Sequence, residues 1–294
     1  MQNTFMVSPM VQTIDLEPGQ VYSGSVIVSN SATATEDFRF KMSISPYSVS
    51  GTDYTPDFKT QSDWSKIVNW IKLDTTSGVL KPNESKKINF TITVPLDAPV
   101  GGQYATIGVS SDVPINNDSN AAIQNVFEMA SLIYAKVAGE TVRDGKIIKN
   151  HVPSFVASGK PTTEISFSNG GNVHEMANVT LTVKNVMTGE VILPKENEEN
   201  TFETIVMPDS TRVSYREIEG VAALGIYEVK QEVSYIGENS VVSAVMIVCP
   251  FWFIALVLLT ILSIIGMVFY SRFLRKKKML KVSQSDIDKN EKNV

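Results

Sequence analysis

Along residues 1–240 apolar and polar side chains alternate with a period of two, the pattern of half-buried strands. In Lys87–Val94, Ile88, Phe90, Ile92 and Val94 fall on one face, while Asn89, Thr91 and Thr93 fall on the other. Val179, Leu181 and Val183 share a face in Asn178–Lys184, as do Tyr227, Val229, Val233 and Tyr235 further on. Helical periodicity is weak before residue 240; its best instance is a short turn around Ser62–Val68. A turn-then-strand unit recurs three times: Leu16-Glu-Pro-Gly-Gln20, Leu80-Lys-Pro-Asn-Glu84 and Val206-Met-Pro-Asp-Ser210. Proline fixes φ at the turn and Gly, Asn or Asp accepts the tight backbone that follows. The expected fold class is all-β: two Ig-like β-sandwich domains followed by one C-terminal transmembrane α-helix.

A junction is expected at Ala138–Gly145, after an apolar strand over Gln124–Ala138. The domains are then residues 1–138 and 139–238. In the second, strands are expected near Lys146–His151, Thr163–Ser168, Val179–Val186, Thr204–Val206, Thr211–Tyr215 and Gly225–Tyr235.

No charge occurs from Asn239 to Ser271. The run Val245–Tyr270 exceeds the roughly 20 residues that cross a bilayer as a helix, so residues 244–270 are expected to span a membrane. Pro250 near its start is tolerable in a first helical turn. Trp252 and Tyr270 suit the two interfacial zones. Arg272, Arg275, Lys276, Lys277, Lys278 and Lys281 follow the run, whereas only Lys230 is basic in the fifteen residues before it. The positive-inside rule then places the basic tail, residues 271–294, in the cytoplasm and the N-terminal region outside the cell. Ser283–Val294 is polar and expected to be unstructured. Met1–Pro9 has neither a basic n-region nor a long apolar core, so either the chain starts upstream of the first residue shown or it is tail-anchored with its bulk in the cytoplasm; the charge asymmetry favours the first.

Charge agrees with that split. Residues 1–240 hold 18 Lys+Arg against 28 Asp+Glu (net −10), and residues 241–294 hold 8 against 3 (net +5), together the −5 of the whole chain. An acidic ectodomain is a poor partner for nucleic acid. The single cysteine, Cys249, lies in the apolar run, so no disulfide staples the globular part, which points to a bacterial surface protein rather than a eukaryotic secreted one.

Candidate chemistry is sparse. His151 and His174 are far apart in sequence and lack nearby cysteine or paired carboxylates, so no metal or cofactor is expected. No nucleophile elbow, P-loop or dinucleotide fingerprint occurs, and the chain does not read as an enzyme. Gly101-Gly102 reads as a strand entry, and Asn169-Gly-Gly-Asn172 as a hairpin-type turn. The long connection Tyr47–Trp70 carries five aromatics. Long loops on sandwiches often bind ligands, and exposed rings stack on sugars or peptide groups. Trp70 reads as the start of a core strand; Tyr54 and Trp64 are the candidate binding residues.

Two stretches go beyond generic patterning. Leu16-Glu-Pro-Gly-Gln-Val-Tyr-Ser-Gly-Ser-Val-Ile-Val-Ser-Asn30 and Ile92-Thr-Val-Pro-Leu-Asp-Ala-Pro-Val-Gly-Gly-Gln-Tyr-Ala-Thr-Ile107 resemble the N-terminal Ig-like domain of bacterial WxL-interacting surface proteins. Gly51–Tyr54 and Asn69–Ile71 also fit that family's pattern, and Phe167-Ser-Asn-Gly-Gly-Asn-Val-His174 resembles a strand end of its second domain. The resemblance implies a first domain that contacts peptidoglycan and a second that contacts a partner surface protein. The expected function is therefore a membrane-anchored, non-catalytic bacterial cell-envelope protein, crossing the membrane once and binding cell-wall glycan or a surface protein through its Ig-like domains. The alternative is a chaperone-like assembly factor for surface or pilus subunits, because an exposed sandwich edge can accept a partner strand.

Overall fold

In the strands singled out above, the period-two pattern of the sequence is the burial pattern of the folded chain. A computed structural model describes residues 5–112, 128–195 and 200–291. Ile88, Phe90, Ile92 and Val94 are all buried, and so are Val179, Leu181, Val183, Tyr227, Val229, Val233 and Tyr235.

The first domain runs through β1 (Phe5–Ser8), β2 (Val11–Leu16), β3 (Val21–Asn30), β4 (Phe38–Pro46), β5 (Ser48–Ser50), β6 (Thr55–Asp57), β7 (Ile71–Leu73), β8 (Ser77–Leu80), β9 (Ser85–Thr93), β10 (Gly101–Ser111) and β11 (Glu128–Val137). A four-stranded sheet, β1-β3-β9-β7, faces a five-stranded sheet, β2-β11-β10-β4-β8. Their inner faces meet in one apolar core that includes Phe5, Leu16, Val28, Phe40, Ile88, Phe90, Ile107 and Ile133. The first strand changes sheets at Pro9: β1 pairs antiparallel with β3, and β2 pairs parallel with β11. Of the strand expected over Gln124–Ala138, the structure shows Glu128–Val137; residues 124–127 lie outside the described residues.

The long connection after β4 is not structureless. It forms the small β5–β6 hairpin and a 3-10 helix over Asp63–Asn69. Gln103, 1% exposed, pins that helix to β10: its side chain donates to the Asp63 carbonyl at 2.9 Å and accepts from the Ile67 amide at 3.2 Å. Trp70 is buried, in the core as expected.

The second domain comprises β12 (Gly145–His151), β13 (Phe155–Val156), β14 (Thr162–Asn169), β15 (Glu175–Asn185), β16 (Val191–Leu193), β17 (Thr201–Val206), β18 (Ser210–Glu217), β19 (Gly225–Tyr235) and β20 (Glu238–Val248). The sheet β12-β14-β18 packs on β13-β20-β19-β15-β16, with β17 also paired to β15. The two expected Ig-like sandwiches are therefore present.

The domain's C-terminal end departs from expectation. β20 pairs with β19 along its whole length, from Tyr235↔Glu238 to Gly225↔Val248, so the second domain extends to Val248 and not only to residue 238. Its side chains alternate, with Met246 and Val248 buried and Val245 and Ile247 exposed. Hydropathy cannot separate such a strand from the helix after it; Pro250 does, because the residue before proline disfavours helical dihedrals. Helix α1 (Phe251–Glu291) starts immediately after that proline, and the amides of Phe253 and Ile254 both donate to the Pro250 carbonyl. The tail expected to be unstructured is helical through Glu291. Residues 267–291 contain no proline or glycine to stop the helix.

Candidate functional site at the domain junction

The two Pro-turns of the first domain show what the turn unit needs. Gly19 and Asn83 take positive φ, +80° and +64°, as the third position of a type II turn requires. In each turn the last residue's side chain reaches back to the first residue's amide: Glu17 donates to Gln20 Oε1 at 2.7 Å and Lys81 to Glu84 Oε2 at 2.8 Å.

The third turn, Met207–Ser210, lies at the top of the second domain and again has positive φ after its proline, +50° at Asp209. Ser210 is too short to reach the Met207 amide. That amide donates instead to the Tyr54 hydroxyl of the first domain at 2.8 Å. The Tyr54 hydroxyl in turn donates to Ser210 Oγ, which donates to the Met207 carbonyl at 2.6 Å. Arg212 lies 4.5 Å from the centre of the Tyr54 ring, and the Val213 amide donates to the Thr52 carbonyl at 2.8 Å. Tyr54 itself holds a left-handed φ of +60°, unfavourable for a bulky residue, and these contacts are what hold it there. Burial pushes its phenol pKa up.

A second set of contacts joins Gly101–Tyr104 of β10 to Asn169–His174. The Gly102 amide donates to the Asn172 carbonyl at 2.7 Å, and the His174 amide donates to the Tyr104 hydroxyl at 2.9 Å. With that hydroxyl 3.1 Å from His174 Nδ1, the phenol donates and the neutral imidazole accepts. Burial, then the charge of Lys136, holds the His174 pKa below its usual range. At Gly101, with φ of +110°, a Cβ would lie 2.3 Å from the Asn172 carbonyl oxygen; only glycine allows the two backbones to approach so closely. Asn172 also grips the linker, accepting from the Val142 amide at 2.8 Å and donating to the Glu140 carbonyl at 2.9 Å.

Asn169-Gly-Gly-Asn172 is therefore not the hairpin turn expected of it. β14 and β15 belong to opposite sheets, and the segment is a corner between them that docks on the first domain. Asn169 shapes it from inside: Nδ2 donates to the Val173 and Val206 carbonyls, and Oδ1 accepts from the Gly171 amide. The two sequence stretches whose wording is most specific, GGQY and NGGNVH, are two halves of one interface.

Tyr104, Tyr134 and Met207 form a buried cluster across the junction, with Tyr47, Tyr54, Trp64 and Leu132 packed on it. Beside it lies a cavity of about 210 Å³ lined by Tyr47, Trp64, Tyr104, Met207 and Asp209. Small-molecule pockets typically run from about 300 to 1,000 Å³, so this hollow is sized for a side chain. Of the two candidate binding residues, Trp64 lines the cavity, and Tyr54 is half-buried in the clasp beside it, its hydroxyl already engaged. Among the described residues no group of three His, Cys, Asp or Glu side chains is placed to hold a metal ion.

The sheet edge next to this region is open. β11 pairs with β10 throughout, from Gly101↔Val137 to Ser110↔Glu128, but with β2 only from Leu132 to Val137. Among the described residues the outer side of Glu128–Ala130 has no ladder partner; Ser131 is buried, its hydroxyl 3.3 Å from Gln12 Nε2. Exposed Met6, Met10 and Val11, on the strand that changes sheets here, border that gap. Nothing in the sequence marked this edge, because strand pairing is not encoded in one strand's own alternation.

No protein-family model matches this chain, and no curated protein does. Among solved structures it is similar to the class 5 fimbriae chaperone CfaA, at 15% identity over 82% of this chain and 98% of that one, with a TM-score of 0.38. It is similar to the CsuC–CsuE chaperone–tip adhesin pre-assembly complex of Acinetobacter baumannii, at 14% identity over 82% and 98%, TM-score 0.39. The Escherichia coli chaperone DraB matches at 10% identity over 82% and 96%, TM-score 0.38. The expectation of an envelope protein that binds peptidoglycan or another surface protein through its Ig-like domains is corrected at the site itself. The reason is physical: of the aromatics of the Tyr47–Trp70 connection, Tyr47, Tyr54 and Trp64 pack at the domain junction and Trp70 in the first domain's core, which leaves only Phe58 exposed and no platform of rings for sugar.

Proposed function

We propose that this protein is a membrane-anchored, non-catalytic assembly factor that holds an extended segment of a partner polypeptide on its first domain. The observation that carries this reading is the outer side of Glu128–Ala130 in β11, which has no ladder partner among the described residues. An exposed strand edge with free amides and carbonyls is a template for another chain, and folded proteins usually blunt such edges with charge, proline or a cover. Here Glu128 and Pro9 stand beside apolar residues, with Met6 and Met10 exposed and Met129 half-buried. Methionine adapts its shape to differing partners. Strand addition supplies main-chain hydrogen bonds, and side-chain hollows supply selectivity. Chaperone–adhesin and chaperone–pilin complexes are among the similar structures; a surface or pilus subunit is the class of partner assigned here.

The anchor is α1. Its Phe251–Arg275 portion has a mean hydropathy of 2.7, and none of its most apolar window is buried against the domains. An apolar helix with no covered face fits a bilayer. The basic cluster after it supports a cytoplasmic tail, with both sandwiches on the outer side. Kinship with the WxL-interacting proteins is proposed on sequence pattern alone.

The test is site-specific photo-crosslinking in the native cell. With a photoreactive amino acid at Ala130 of the full-length protein, irradiation is expected to give an adduct with an exported polypeptide. The same residue at Lys86, on the opposite sheet, is the control. Adducts absent at Ala130, or no different from those at Lys86, overturn the reading.

A further inference from the structure

β20 uses up part of the apolar run, and this sets where the second domain must sit. Between Pro250 and the first charge, Arg272, only residues 251–271 remain. At 1.5 Å per residue those 21 residues span about 31 Å, against a hydrocarbon core of about 30 Å. There is no slack. Cys249 and Pro250 lie at the membrane surface, and Val248, buried in the second domain, is one residue away.

The strand directions then identify which end of the domain faces the lipid. Gly225 is opposite Val248, Asn185 is opposite Tyr227, and Val156 runs beside Val248. The loops after β13, after β15 and before β19 therefore all emerge at the helix end. Their tips are open: a Cβ at Gly159 or Gly189 would meet nothing within 4 Å. They also carry exposed apolar side chains: Met187 is 79% exposed, Val186 52%, Leu224 51%, Phe155 48% and, beside it, Ile247 42%. The first domain docks at the other end, through Asn172 and His174, one β19 length away, which is about 36 Å for 11 residues.

We propose that this end of the second domain is a membrane-docking surface, with Met187, Val186, Leu224 and the Phe155–Ile247 pair seated in the interfacial layer of the bilayer. This rests on the reading of α1 as a membrane span. The occupant is a lipid bilayer because the same chain enters it within three residues of Val248, leaving no linker to hold these side chains clear. Glu190 and Glu219, also at this end, limit the depth to the headgroup layer, and Lys160 is already paired with Glu217 at 2.6 Å. Docked in this way, the domain stands upright and presents the junction cavity and the β11 edge well above the headgroups.

The full-length protein, carrying Cys249→Ser, is reconstituted into phosphatidylcholine–phosphatidylglycerol vesicles with an environment-sensitive fluorophore on Met187→Cys, Leu224→Cys, Leu258→Cys or Ser29→Cys. Lipids brominated near the headgroup end of the acyl chain are expected to quench the probes at 187 and 224 and shift their emission to the blue. The probe at 258 should be quenched by deeply brominated lipid, and the probe at 29 by neither. Water-like, unquenched emission at 187 and 224 together with quenching at 258 overturns the docking surface and leaves the span standing. Absence of quenching at 258 overturns the span, and the docking surface with it.

Discussion

Replacing Tyr54 by phenylalanine isolates the clasp between the two sandwiches. The ring, its packing on the Tyr104–Tyr134–Met207 cluster and its contact with Arg212 remain; one hydroxyl goes. That hydroxyl is the acceptor for the Met207 amide and the donor to Ser210 Oγ. Met207 is 5% exposed, so water does not readily replace the lost acceptor. A buried donor left unpaired costs about 1–3 kcal/mol; at about 2 kcal/mol the local opening equilibrium rises about 30-fold. Hydrogen exchange on the full-length protein in nanodiscs reads this at the Met207 amide, with the Val213 amide, bonded to Thr52, reporting on the same clasp. The internal reference is Gln20→Ala, which removes the equivalent acceptor from an exposed turn. There water substitutes, and a change of only a few-fold is expected at the Glu17 amide. Unchanged protection at Met207 in Tyr54→Phe, or an effect no larger than that of Gln20→Ala, would refute the claim that the first domain's hydroxyl completes the second domain's turn.

Three further outcomes follow from the same geometry. Because the folded His174 pKa lies below its ordinary 6.5, the unfolded chain binds the proton first; stability is full above about pH 6.5 and falls as pH drops through the folded value, a slope that His174→Gln should flatten in urea titrations from pH 7.5 to 5. Gly101→Ala meets the Asn172 carbonyl and Gly159→Ala meets only open space, although both have positive φ; thermal unfolding should show the first losing several kcal/mol and the second about 1. Lysine at Ile261, near the middle of the span, should hinder insertion by about 3 kcal/mol, whereas lysine at Val245, 56% exposed on β20, should insert normally in a glycosylation-reporter assay; equal impairment would restore the helical reading of residues 245–248.

Much of the architecture was legible because it depends on local periodicity. The β9 alternation, the three Pro-turns, the Ala138–Gly145 junction and the short helix near Ser62 can each be read within about a dozen residues. The misreading at Val245–Val248 came from the same source: an apolar run is equally consistent with a strand and a helix, and only pairing with β19 decides between them. The candidate site was partly legible. Tyr54 and Trp64 were singled out as loop aromatics, but their sequence context suggested an exposed platform, while Tyr104, His174, Asn172 and Met207 carried no chemical signal of their own. Positive φ at Tyr54 would not have been anticipated for a bulky residue.

Taken alone, the chain determined that it forms strands, where they turn, and which segment is long and apolar enough to cross a membrane as a helix, since each follows from side-chain spacing and turn chemistry. Tertiary structure decided that Gly101-Gly102 and Asn169–His174, nearly 70 residues apart, are one interface, that the third Pro-turn borrows its missing acceptor from another domain, and that the start of β11 lacks an outer ladder partner among the described residues. The reason is physical: these features are contacts between backbones distant in sequence, and a backbone amide or carbonyl is the same group in every residue type, so no alphabet of side chains announces which one it will meet.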